Sequence, residues 1–175
     1  MKKGFTMIEL IFVIVILGIL ASVAIPRLVG TRDDAEISAA VANLRTLVSD
    51  ANVHYVTKGT LTGAKWGGIT SVPLTTTASG SAAATSASDT AVTTGVNLKA
   101  GGKDCISVQL VEKAGTAPAY IKFTKVTANT GSGVCKAVVD SPSVKAYLDA
   151  KITGVTVTDG GAMPIGSTTS IYPTN

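Results

Sequence analysis

One histidine and two cysteines narrow the chemistry open to this chain. A Ser-His-Asp set would have to use His54, and no G-x-S-x-G nucleophile turn occurs. His54 lies beside an apolar helical stripe, where a packed or surface histidine is expected. Cys105 and Cys135 are not in C-x-x-C spacing. An even count in a domain that reads as exported points to one Cys105–Cys135 disulfide, the alternative being two buried free thiols. Asp159 in "TDGGAMPIG" (158–166) offers a single carboxylate, whereas calcium takes several oxygens. No catalytic residue, metal or cofactor is expected, and the chain reads as a non-enzyme. One carboxylate stands apart from this plain inventory: Glu9.

Glu9 is the only ionisable side chain from Phe5 to Ile25. At 1.5 Å rise per residue, a helix of that length spans a hydrocarbon core of roughly 30 Å. A cleaved signal peptide has a shorter apolar region followed by a small-x-small site. The segment "ASVAIPRLVG" meets that spacing poorly and continues into more helix. Lys2 and Lys3 belong on the cytoplasmic side, which places the rest of the chain outside. A plain signal anchor fits everything except Glu9. An acidic residue at the centre of a span costs roughly 2.5–3.5 kcal/mol on insertion scales, less near its end, and marks a functional site that needs a partner. No basic side chain within residues 5–25 supplies one. Protonation of Glu9, or an amino terminus freed by cleavage before Phe5, are the two ways to lower the cost.

The stretch "KKGFTMIEL" (residues 2–10), followed by an apolar run and Pro26, resembles the class III leader of type IV pilins and type II secretion pseudopilins. Gly4, Phe5, Thr6, Glu9 and the uncharged run stand in that family's order, over roughly the first 30 residues. The resemblance implies that a prepilin peptidase cuts between Gly4 and Phe5 and methylates the new amino group of Phe5. It implies a long amino-terminal helix packed on a small antiparallel sheet. It also implies that Glu9 pairs with the Phe5 amine of a neighbouring subunit in a filament. Desolvation offsets much of the Coulomb attraction in such a pair, so Glu9 is expected to set register more than to add stability. Gly18 and Pro26 match the family in place. Glycine weakens a helix interior and proline removes a backbone donor, so a kink or break is expected before Pro26, with a continuous, mildly bent helix as the alternative.

Beyond Pro26 the helix becomes amphipathic. Ile37, Val41, Leu44, Val48, Ala51 and Tyr55 step by four and three and form one face. That face is expected to pack on the chain's own sheet, and Gly59 to stop the helix. The cluster "RDDAE" (32–36) reads as a solvated face or a contact between subunits. Residues 70–98 are rich in Thr, Ser and Ala and read as a long surface connection. Trp66 reads as a packing residue. Residues 105–112, 119–126 and 134–140 are short, β-rich segments and read as a three-stranded meander. A bridge between Cys105 and Cys135 would then staple its outer strands. Ser141 and Pro142 suit the cap and first turn of a short helix. The tail is expected to add one strand and an irregular end.

The chain has 175 residues, a net charge of +4 and 46% hydrophobic residues, much of that excess lying in the first 25. Its lysines form no dense patch interleaved with aromatics, so no nucleic-acid partner is expected. The fold class is α+β. Five regions follow: a leader (1–4), a membrane or filament-core helix (5–26), an amphipathic helix (27–59), a variable connection (60–104) and a sheet region with its tail (105–175). The function the resemblance implies is that of a structural subunit of a type IV pilus-like filament. A type II secretion pseudopilin is the alternative, and a signal-anchored periplasmic binding protein the reading from another class. The implied partners are further copies of the chain, the inner membrane, a prepilin peptidase, an assembly ATPase and an inner-membrane platform protein. The implied location is the inner membrane first, then a surface pilus or periplasmic pseudopilus.

Overall fold

The computed structural model describes residues 6–76, 87–131 and 133–166, with side chains throughout except at 26–29. The element order is α1 (Met7–Lys58), α2 (Trp66–Ile69), β1 (Leu74–Thr75), β2 (Val96–Ala100), β3 (Lys103–Val111), β4 (Tyr120–Lys125), α3 (Gly133–Asp140), α4 (Pro142–Leu148) and β5 (Gly160–Pro164). The chain divides into two compact units, Met1–Ala35 and Glu36–Asn175.

The first unit is the beginning of α1. Its helix is assigned without interruption through Gly18 and Pro26, so the single chain takes the continuous form of the two expected. Pro26 has no N–H, which leaves the Ser22 carbonyl without its usual donor four residues on. In the turn before it, the Ser22 hydroxyl donates to the Ile19 carbonyl at 2.7 Å.

In the second unit the expected stripe is realised. Leu44, Val48 and Ala51 are buried, with Ile37, Val41 and Tyr55 partly buried against the same core. Ala40 and Leu47 widen that face. The helix ends at Lys58. Gly59 has φ 71° and donates its N–H to the Tyr55 carbonyl at 2.8 Å. Only a residue without Cβ takes this left-handed position without cost. Just beyond, the Glu112 carboxylate accepts the Leu61 N–H at 2.6 Å, tying the chain after α1 to the end of β3.

The sheet is a five-stranded antiparallel array in the order β1-β2-β3-β4-β5. Its register places Val96, Val108 and Phe123 across from one another, and likewise Leu110 and Ile121. These side chains are buried together with the α1 stripe and form the core. Strands β3 and β4 lie where the β-rich segments predicted them. Trp66 packs as expected, nearly fully buried, its indole N–H donating to the Thr94 carbonyl at 3.3 Å. The tail's expected strand is β5. It opens with two glycines because nothing larger fits. A Cβ at Gly160 would stand 1.8 Å from the Phe123 carbonyl oxygen, and one at Gly161 2.1 Å from that of Tyr147.

Two expectations fail. Residues 134–140 are not a strand: Gly133–Asp140 is helix α3. A seven-residue run rich in valine has no periodicity that separates strand from buried helix. Burial decides it, because Cys135, Val138 and Val139 fall at helical spacing on one face. The disulfide Cys105–Cys135 is present, with Cα atoms 5.1 Å apart, but it joins β3 to α3 rather than two outer strands. The stretch 70–98 is also not loop throughout. It contains β1 and the beginning of β2, held by Asp104, which accepts the Thr75 hydroxyl at 3.1 Å and the Asn97 amide at 3.2 Å. Residues 77–86 of that stretch lie outside the described residues.

Two consequences are measurable. Replacing both cysteines by serine removes a cross-link across 30 residues. The loss should be about 3–4 kcal/mol by loop-closure reasoning, seen as a lower urea midpoint for the second unit. Separately, the Lys136 ammonium donates to Asp140 and adds its charge, with Lys145 contributing less, so the Asp140 carboxyl is held below the ordinary aspartate range. Its pair therefore contributes fully above the unfolded pKa, and the contribution fades as pH falls through the lower folded value. An NMR titration should place the Asp140 midpoint below about 3.9, and Lys136→Ala should return it toward that value.

Candidate assembly site: an exposed helix with one carboxylate

The first turn of α1 is organised by Thr6. Its carbonyl accepts the N–H groups of Glu9 at 3.1 Å and Leu10 at 3.3 Å. Its hydroxyl donates to Glu9 Oε2 at 3.3 Å. Thr6 and Glu9 stand three apart at the helix start, the spacing of a capping box, here closed side chain to side chain. A carboxylate in the first turn also suits the positive end of the helix dipole. The T-x-x-E spacing is a signal for this helix start that the residues alone carry, beside the question their charge raises.

Every described side chain from Thr6 to Ile25 is exposed. Fourteen of them are large and apolar, with exposures from 82% at Met7 to 41% at Ile16. At about 1.5 kcal/mol for each one covered, roughly 20 kcal/mol favours taking this surface out of water. Among the described residues, α1 is the one helix long and apolar enough to cross a membrane. Lipid or other helices of the same kind can provide that cover. Glu9 is the single charge either would have to accommodate. Gly4 and Phe5, the expected cleavage pair, lie outside the described residues.

The outward face of α1 in the second unit has a pattern that the sequence reading missed. Ala39, Ala42, Thr46, Ser49, Val53 and Val56 step by three and four, and all are exposed. None is charged, while Arg45, Asp50 and Lys58 fall off this line. Val53 and Val56, at 60% and 70% exposure, are the exposed large apolar side chains of the second unit among the described residues. Small residues at this spacing let a second helix approach closely. The same stepping that reveals the buried stripe reveals this one when it is traced on the opposite face.

The remaining candidates do not gather. His54 is half-buried with Nδ1 unpaired. Asp159 stands in the left-handed region, φ 56°, with its carbonyl accepting the Lys125 N–H at 3.2 Å. No group of three or more His, Cys, Asp or Glu able to hold a metal occurs among the described residues.

The family model for the prokaryotic N-terminal methylation motif matches residues 1–25. The chain carries that motif. The exposed run from Met7 to Ile25 is therefore the apolar part of a methylation-motif segment, and Glu9 lies inside it. Curated relatives carry the same kind of name. The type II secretion system core protein G of Dickeya chrysanthemi is 40% identical over 53 residues, 30% of this chain and 35% of that protein. Its counterpart in Escherichia coli is 41% identical over 53 residues, 30% of this chain and 37% of that protein. The type IV narrow pilus major component PilA5 of Thermus thermophilus is 46% identical over 55 residues, 30% of this chain and 47% of that protein. The chain thus spans about a third of the length of the secretion relatives and under half of the pilus component. No solved structure matches this chain. The resemblance to type IV pilins and type II secretion pseudopilins is found again in both comparisons.

Proposed function

We propose that this chain is a structural subunit of a type IV pilus-like filament. Residues 1–4 act as a leader, a prepilin peptidase cleaves between Gly4 and Phe5, and the Phe5 amine is methylated. The precursor is anchored in the inner membrane by the run to Ile25, with the second unit outside. An assembly ATPase and a platform protein then move it into a helical homopolymer. The observation that carries this reading is the wholly exposed apolar start of α1 with Glu9 as its only charge. A soluble monomer has no use for such a surface, whereas helices packed around one axis cover it. Glu9 then pairs with the Phe5 amine of the neighbouring subunit and sets register. The segment between Gly18 and Pro26, one helix in the single chain, is where the helix loosens on assembly. Packing continues beyond the membrane along the seam from Ala39 to Val56. No enzymatic role is proposed.

A second reading, a pseudopilin of a periplasmic filament, is favoured by the similarity to core protein G. Both readings require the same processing, so one experiment tests both. Intact mass and amino-terminal sequence of the membrane-extracted protein should show a chain beginning at N-methylated Phe5, and only in cells with prepilin peptidase. A chain still beginning at Met1, or cut beyond Ile25, sinks both readings. Recovery from sheared cell surfaces rather than periplasm then separates pilus from pseudopilus.

A further inference from the structure

We draw no further inference here: the strongest candidate, the exposed seam on α1 ending at Val53 and Val56, belongs to the helix packing already proposed, and the open pocket between the end of β4, α3 and Asp159 has nothing in the structure that shows what would fill it.

Discussion

Glu9→Leu should leave the subunit in the membrane at its normal level and lower the yield of sheared filament by about a hundredfold or more. The substitution removes the single charge from an exposed apolar run, so insertion becomes easier rather than harder. Assembly suffers for a different reason. In the filament, the Phe5 amine of the neighbouring copy would be buried without its carboxylate. Breaking a buried pair by deleting one partner costs about 3–5 kcal/mol, which corresponds to a factor of hundreds to thousands in an equilibrium. Glu9→Asp keeps the charge on a shorter arm and should recover part of the yield. Glu9→Gln keeps the shape and the helix start but not the charge, and should behave like leucine. The Thr6 contact distinguishes the pairing from mere helix capping. Thr6→Val removes the hydroxyl that donates to Glu9, and loss of a cap costs only about 1 kcal/mol. Immunoblots of sheared and membrane fractions give both numbers for each variant. Normal filament yield from Glu9→Leu would remove the pairing from the mechanism. A loss with Thr6→Val equal to that with Glu9→Leu would reassign Glu9 to the helix end.

The parts of the fold that were legible are those in which one physical signal acts alone. In α1 the apolar run, the four-three stripe and Gly59 each report a single property: length against a bilayer, one buried face, one left-handed residue. From Ile106 on, strands β3 and β4 alternate, with Ile106, Val108, Leu110, Ile121 and Phe123 turned inward. The misread elements are those where tertiary context decides. Helix α3 has strand-like composition, and it is the burial of Cys135, Val138 and Val139 at helical spacing that marks it as a helix. Strand β5 was expected in the tail but not placed within it: it begins with two glycines, which have poor strand propensity. They are there because Phe123 and Tyr147 carbonyls approach within 1.8 and 2.1 Å of where a Cβ would be. No single-segment pattern carries that information. Strand β2 does alternate, Val96, Leu98 and Ala100 against Asn97 and Lys99, but its signal is diluted by the Ser/Thr/Ala-rich residues before it. For the assembly site, Glu9 was legible because a lone charge in an apolar run is costly anywhere. The seam on the outer face of α1 was not, because small uncharged residues look like ordinary helix surface until the opposite face is known to be buried.

That seam supports the second large effect. The double variant Val53→Lys with Val56→Lys should fold normally and fail to polymerise. Both side chains are mostly exposed and belong to no core cluster, so the stability of the second unit should change by no more than about 0.5 kcal/mol. In a filament the same face recurs on every copy. Two lysines per subunit in a close helix–helix seam bring either a buried unpaired charge or repulsion between neighbours, and each is penalised more than the loss of a methyl contact. Filament yield should drop by about tenfold or more, with the membrane level and the Cys105–Cys135 disulfide unchanged. Val53→Ala with Val56→Ala removes apolar area without adding charge. It should produce an intermediate loss, because the remaining alanines still allow close approach. A lysine variant that assembles at normal yield would confine subunit packing to the run before Ile25 and make the seam plain solvated surface. A lysine variant that loses its urea midpoint as well would show that Val53 and Val56 contribute to the fold rather than to assembly. Filament loss with an unchanged midpoint is the outcome expected if one helix both holds its own sheet and meets its neighbours, with its inner stripe serving the first task and its outer seam the second.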